Sequence, residues 1–416
     1  MNPAESIPDL LLACLRQTPP GNLGAQLAQL SLVQWEELTT LAVEQQVPSL
    51  LYHRLKSHGY ESIIPTEVWQ TLQKKYYGIA LRNMRLYQEL RKLTTALHTQ
   101  GIPMLVLKGA HLAAGVYESI ALRTIVDIDI MVHRADLPTV IQQLQALGYQ
   151  PLMPLLTLDV YVDHKHHLPP FVHPNAAASI EIHWTITSST RTYAVPMEDL
   201  WARSQLVTLS DSSVRTFCPE DLLLHICMHA TYQHQLRQGI RFLCDIDEVV
   251  RRYRNELDWE SIIQQAVEWK WQGGVFLALY ATQKLLDTPI PEHVLRSLRP
   301  TRRALPDLPK LQAMLFFADR ALVNASSPNF LNVMTTAQLS RKFRLIQQRL
   351  FLPRQSLAVA YHISPRSPWL YLYYPVRLVD LLRRYLHKTL RMWRGDTEIV
   401  TIASQQEKIE QWLEQE

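Results

Sequence analysis

The chain has 416 residues, 47% of them apolar and 19% charged, which predicts two or three folded domains and excludes a disulfide-stapled miniprotein and wholesale disorder. Four widely spaced cysteines without a Cys-x-x-Cys pair, and only 12 glycines with no Gly-x-Gly-x-x-Gly or Walker run, weigh against zinc-ribbon, Rossmann and P-loop readings. The net charge of +4 hides a polarity, because residues 341–394 hold twelve Lys/Arg against one acid, Asp380, leaving −7 for the rest of the chain.

No basic and apolar leader opens the sequence, and no stretch reaches about 18 uninterrupted apolar residues, so a cytoplasmic protein is expected. The first hundred residues predict helices, with apolar clusters at helical spacing in Leu10–Leu15, Trp35–Leu55 and Val68–Leu97. Thr66 and Glu67, just after Pro65, mark the start of the longest. Gly101 and Pro103 then punctuate the chain before the strand-length run Met104–Leu107. Residues 110–117 suit a short helix, Ile125–His133 alternates as a strand, and Asp136–Leu147 is an amphipathic helix closed by Gly148. A hairpin is expected between Tyr161–His167 and Ser179–Trp184. Helices return from Pro219, with Glu220 and Asp221 in the first turn, and run to about Leu286.

The sharpest feature is Asp127-Ile128-Asp129 within a predicted strand. Side chains at i and i+2 share a face, so the two carboxylates converge while Val126, Ile128 and Ile130 are expected to face a core. Two ionised acids this close call for a cation, and hard oxygen ligands suit Mg²⁺ bound together with substrate phosphates. A solvated edge strand with two exposed acids is the plainer alternative. Upstream, Leu107-Lys108-Gly109-Ala110 ends a strand and opens a helix, where backbone N–H groups receive an anion and Gly109 permits close approach. Downstream, Ser179-Ile180-Glu181-Ile182-His183-Trp184 puts Glu181 and His183 on one face, a third carboxylate among them.

These residues resemble an uncharacterised bacterial nucleotidyltransferase family within the DNA polymerase β-like superfamily. The elements that carry the resemblance are Leu107-Lys108-Gly109, Arg123 through Asp129, and Glu181 through Trp184, with a weaker match through His225, His229, Arg241 and Asp245. The resemblance implies that Asp127 and Asp129 hold Mg²⁺, with Mn²⁺ as a substitute, on the triphosphate of an NTP such as ATP. It also implies that Glu181 completes a two-metal site and assists deprotonation of the acceptor hydroxyl. Lys108 and Arg123 would neutralise phosphate charge, beside the turn at Gly109 and Ala110. The chain departs from the superfamily in having Ala110 where a serine is usual, and in a longer gap from Gly109 to Asp127.

Other clusters have plainer readings. His164, His166, His167, His173 and His183 are conspicuous, as zinc ligands, cleft-lining groups or ordinary hairpin histidines. His225 and His229, four apart without the glutamate of the His-Glu-x-x-His pattern, read as packing residues. Arg241 and Asp245 are expected to pair at i and i+4 on a helix. Trp369–Arg394 mixes Trp, Tyr and Leu with five arginines and one lysine. It reads as a solvated core-completing helix, a binder of the inner face of an anionic membrane, or an RNA surface.

The expected fold is therefore α+β: helices over 1–100, a small mixed-sheet nucleotidyltransferase core over 101–205, a helical domain over 206–300 and a basic helical region over 301–416. The expected function is Mg²⁺-dependent transfer of NMP from an NTP to an unidentified hydroxyl acceptor. Alternatives are an RNA-modifying nucleotidyltransferase toxin, a metal-dependent glycosyltransferase, which would not require Glu181 on a neighbouring strand, and a degenerate nucleotide-binding scaffold.

Overall fold

Serine caps open the first helices of the computed structural model, which describes residues 6–152, 165–187, 195–236, 239–300 and 307–317, with parts of 343–383. Ser6 and Ser31 accept from the backbone N–H groups of Asp9 and Gln34, whose side chains return to the cap amides. These capping boxes satisfy orphan donors at the starts of Ile7–Leu15 and Leu32–Glu44. The apolar segment Trp35–Leu55 is two helices, Leu32–Glu44 and Pro48–Ser57. Gln46 takes a left-handed φ of 59° between them, and Pro48 suits the first turn of the second because its missing N–H would be unpaired there anyway.

The helix Thr66–Thr99 begins directly after Pro65 and runs for 34 residues, about 50 Å at 1.5 Å per residue. Leu72, Leu86, Leu90, Leu93 and Leu97 bury one stripe of it. Three polar side chains near its middle fasten the segments that will form the site. Asn83 donates to the carbonyls of Ile120 and Arg123 at 2.6 and 2.8 Å. Arg82 donates to the carbonyls of Val126 and Ala177, both at 3.2 Å, and the Tyr87 hydroxyl donates to Ala110 O at 2.6 Å. These side chains thereby satisfy backbone carbonyls of the loops, some of them buried.

Seven strands form one mixed sheet: β1 (Leu105–Val106), β2 (Asp127–Met131), β3 (Gln150–Pro151), β4 (Phe171–Val172), β5 (Ser179–His183), β6 (Gln205–Leu209) and β7 (Ser212–Thr216). Their order is β3-β4-β5-β2-β1-β7-β6. β2 runs parallel to β5 and antiparallel to β1, and β1 is parallel to β7. Ile128, Ile130, Ile180 and Ile182 are buried on one face of the central pair; the acids occupy the other. The fold is α+β, as the alternation of helical and strand periods predicts.

Two expectations change at this level, one is met in part, and one hairpin is new. Val126 does not face the core: it precedes the strand and is 50% exposed, its carbonyl taken by Arg82. The hairpin before β5 is met at its described end, where His167 bridges antiparallel to His183 and Trp184 N–H donates to His166 O, and it continues through Phe171 opposite Ile180; residues 161–164 lie outside the described residues. Arg241 and Asp245 do not form the expected helical ion pair, because Asp245 accepts from Arg123 while Arg241 donates to Gln46 and Thr124 O. The hairpin β6–β7 went unread in the sequence, although Ser210 takes a φ of 52° at its two-residue turn and Leu209 and Val214 are buried.

The chain divides into two units, the first comprising Met1–Met153, Lys165–His234 and Gln238–Arg302, the second Pro154–His164, Gln235–Arg237 and Arg303–Glu416. In the second, Leu357, Ala358 and Leu370 are buried, with Leu352, Tyr361, Ile363, Tyr373 and Tyr374 packed against them. Residues 384–394 of the basic segment lie outside the described residues. No helix among the described residues is long and apolar enough to cross a membrane.

Candidate metal centre

Parallel pairing places Asp129 opposite Glu181, Asp127 opposite Ser179 and Met131 opposite His183. Because side chains alternate along a strand, Asp127, Asp129, Glu181 and His183 share one face of the β2–β5 pair. The buried isoleucines on the other face hold this register, since a slip by one residue would turn them outward. His183 Nε2 lies 2.9 Å from Asp129 Oδ1 and 3.7 Å from Glu181 Oε2. Among the described residues, Asp129, Glu181 and His183 offer donor atoms that all lie within 4.8 Å of one another. The sequence reading placed Asp127 in this set. The structure keeps Asp127 nearby as a charge neighbour of Asp129 and adds His183, whose signal was its i+2 spacing from Glu181.

The electrostatics separate the acids. Burial raises the Asp129 carboxyl, yet the attraction of Lys108 and the hydrogen bond from His183 outweigh it and hold the group well below the usual carboxylate range. Lys108 Nζ stands 3.3 Å from the same Oδ1. Asp127 moves the other way, raised by burial and by the Asp129 charge, with Lys108 and Arg241 partly offsetting the rise. Glu181 is pushed up to about 7 by burial, Asp129 and Asp127. Burial pushes His183 down to about 4 despite the favourable carboxylate beside it.

The turn that carries Lys108 is built under constraint. Lys108 has a φ of 37°, a left-handed conformation unusual for a residue with a Cβ, of the kind that persists only where the surroundings over-determine it. Leu107 N–H is fixed to Asp129 O at 3.0 Å, and Ala110 O is held by Tyr87. A Cβ at Gly109 would lie 2.7 Å from Arg123 Nη1 and 3.4 Å from Ile125 Cγ2, so glycine lets the turn rest on the arginine.

That arginine is itself committed. Arg123 is buried and donates from Nε and Nη2 to the two oxygens of Asp245 at 2.7 and 2.9 Å. The Tyr117 hydroxyl donates to Asp245 Oδ1 at 2.9 Å. The phosphate-facing role expected for Arg123 thus meets a guanidinium already engaged in a bidentate buried pair beneath the turn. Arg241 is the cation that sequence reasoning set aside, and its charge draws the Asp127 carboxyl downward.

The histidines sort by position. His166, His167 and His183 gather their rings at centroid separations of 4.5, 5.1 and 5.7 Å, and His167 Nδ1 lies 2.7 Å from Leu168 O. The His173 ring lies tilted by 46° against Tyr149, and its Nδ1 accepts from Asn175 N–H; residue 164 is outside the described residues. His225 is buried, and its Nδ1 has no hydrogen-bond partner among the described residues. Burial, then Lys108 and His183, pushes its pKa well below the ordinary histidine value. His229 pairs ring to ring with His234, Nε2 to Nε2 at 3.1 Å.

Two carboxylates and an imidazole on adjacent strands, facing a Lys-Gly turn, can hold a divalent cation against a phosphate. The profile of a family described as uncharacterised nucleotidyltransferase matches residues 31–287, more than half of the chain, and the chain belongs to that family. The matched span contains every site residue named above. No curated protein matches the chain.

Proposed function

We propose that this protein transfers a nucleoside monophosphate from an NTP to a hydroxyl acceptor and releases pyrophosphate, with Mg²⁺ or a related divalent ion at the acidic cluster. The observation that carries the reading is the parallel register of Asp129 with Glu181, with Asp127 one step along the same face. A glycosyltransferase Asp-x-Asp would have no use for Glu181 at this place, and family membership favours nucleotidyl transfer over that alternative.

The donor set fits a divalent ion: two carboxylates and one imidazole offer donor atoms within 4.8 Å of one another. Asp129 and Glu181 would hold it, with Asp127 alongside, and it would supply charge neutralisation and alignment of the phosphates. Lys108, now directed at Asp129, would swing toward phosphate oxygen, its backbone fixed by the turn. Arg241 would be a second cation beside Asp127. Arg123 would act beneath the turn, positioning Lys108 and Gly109 through its pairing with Asp245, while Ala110 gives backbone alone. Glu181 would accept the proton of the attacking hydroxyl, an alkoxide being the stronger nucleophile.

Incubating the purified protein with each NTP, Mg²⁺ or Mn²⁺ and a cell extract tests this. Label in the α-phosphate should move to the acceptor, and label in the γ-phosphate should leave in pyrophosphate. Transfer of γ-label to the acceptor would replace the reading with a kinase, and nucleotide binding without turnover would replace it with a scaffold.

The second unit supports a partner for this chemistry. Leu372, Val376 and Val379, at i, i+4 and i+7, are exposed together with Trp369 and Tyr371, within a segment whose charge is strongly positive. An apolar stripe in a strongly basic segment suits the surface of an anionic membrane, which would place the protein peripherally at the inner face. RNA is the competing partner, through charge alone.

A further inference from the structure

The helix Leu32–Glu44 closes on a residue that its backbone does not favour. Gln46 N–H donates to Val43 O at 3.0 Å and Val47 N–H to Ala42 O at 2.9 Å, the paired bonds of a Schellman cap. Gln46 fills the left-handed position of that cap, at a φ of 59°, where glycine is usual because a Cβ crowds the following carbonyl. Strain of this kind persists only where the surroundings over-determine it, and it clusters at functional sites. The reason for a glutamine there lies in its side chain.

Both glutamines of the cap reach the start of the helix Arg241–Arg252, 195 positions later in each case. Gln45 Oε1 accepts from Ile240 N–H at 3.0 Å, and Gln46 Oε1 accepts from Arg241 Nη1. The second acceptor of Nη1 is Thr124 O at 3.4 Å, so neutral groups locate this guanidinium. Asp245, one turn along the same helix, gives both its oxygens to Arg123. Among the described residues no carboxylate lies within ion-pair distance of Arg241. Burial and the Arg123 charge therefore work against the Arg241 cation and pull it down to about 10, while Asp245 and Asp127 attract it from beyond contact. A buried cation that no acid neutralises is costly, and an arriving anion removes that cost.

We propose that Gln46 is a positioning residue for the outgoing pyrophosphate: it holds Arg241 by a neutral contact, so that the guanidinium keeps its charge for the β- and γ-phosphates. The proposal rests on the nucleotidyl-transfer reading above and adds to it a residue of the N-terminal helices and the part of the substrate it serves. Lys108 bonds directly to an acid of the cluster, whereas Arg241 touches none. The phosphates that Arg241 meets are thus those beyond the acids, the pair that leaves. An acid in place of Gln46 would fix the arginine equally well and cancel the charge that the phosphates need.

The test uses the full chain, with calorimetry of inorganic pyrophosphate in Mg²⁺ set beside thermal melts of the ligand-free protein. Gln46→Glu places an acid on Arg241, so it should melt at or above the wild-type temperature and yet bind pyrophosphate about tenfold or more weakly. Gln46→Gly relieves the left-handed backbone but drops the contact, and it should keep the melting temperature while binding several-fold more weakly. A purely structural glutamine would move stability and binding together, or stability alone. Arg241→Gln should lose the affinity by itself, and adding Gln46→Glu to it should cost nothing further, because the glutamine acts through the arginine. Wild-type affinity in both Gln46 variants, or losses that add in the double variant, would overturn the proposal. Movement of α-phosphate label to an acceptor by the wild type would uphold the parent reading in either case. A wild type that binds NTP but no pyrophosphate would overturn the proposal alone, and one that binds neither would remove both.

Discussion

Arg123 and Asp245, 122 positions apart in sequence, meet in a buried two-pronged ion pair at 2.7 and 2.9 Å. The pair lies under Gly109 and joins the loop before β2 to the helix Arg241–Arg252. Breaking a buried pair by removing one partner leaves an uncompensated charge, at a cost of about 3 to 5 kcal/mol. Arg123→Ala and Asp245→Ala should each lower the denaturation midpoint strongly, and the double variant should lose less than the sum of the two. A double-mutant cycle by urea unfolding checks this; additive losses would show that the pair does not couple the two segments.

The two aspartates of β2 should respond in opposite directions. Burial and the Asp129 charge raise the Asp127 carboxyl, so Asp127→Asn should leave the metal-free protein as stable as wild type or slightly more so. Asp129→Asn gives up charge-assisted contacts to Lys108 and His183 and should lose about 1 to 3 kcal/mol. Both variants should abolish metal-dependent NTP binding. Thermal melts with and without Mn²⁺ and NTP separate the effects, and equal melting shifts for the two variants would contradict the electrostatic asymmetry.

Lys108→Ala should weaken NTP binding about tenfold or more, the loss of one charge-assisted contact of about 1.5 to 3 kcal/mol. Calorimetry measures it directly. The left-handed backbone at this position adds a contrast: Lys108→Gly removes the same charge but also the steric strain, so it should be the more stable of the two variants by melting temperature.

Acid should unfold the protein partly through His111. This ring is fully buried, its Nδ1 has no partner among the described residues, and burial pushes its pKa down to about 4. The unfolded chain takes up a proton near the ordinary value of about 6.5, whereas the folded chain resists until about 4. Stability therefore falls as pH drops through that window, by at most about 1.4 kcal/mol per pH unit for this group. Stability curves of wild type and His111→Phe from pH 7 to 4 should converge or cross toward acid. Parallel curves would show that His111 is not the titrating group.

The apolar stripe of the second unit gives a partner test. Changing Leu372, Val376 and Val379 to Ser should reduce binding to vesicles containing anionic lipid, while leaving any binding to RNA close to wild type. Changing Arg383, Arg384, Arg391 and Arg394 to Gln should weaken both, most visibly at low salt. Flotation of the protein with anionic and neutral vesicles measures the first. Unchanged vesicle binding in the Ser variant would assign the surface to charge alone.

Local pattern made much of this protein legible. The period-two alternation of Ile125–His133 and Ser179–Trp184 located both central strands and assigned their acids to one face, because a strand has no freedom to distribute alternate side chains otherwise. The start of the long helix at Thr66, the left-handed Gly148 after Leu137–Ala146, and the Lys-Gly turn were readable for the same reason: each follows from backbone sterics within a few residues. Sequence also identified the family that the profile match establishes. Tertiary structure decided what depends on pairing across distance. Only the parallel register of β2 with β5 put His183 between Asp129 and Glu181, and only packing paired Arg123 with Asp245. The short strand β1 joins an unread hairpin to the sheet for the same reason. An isolated arginine or histidine carries no signal of its partner, since the energy that selects it comes from desolvation in a core assembled from residues 54 and 122 positions apart in these two cases.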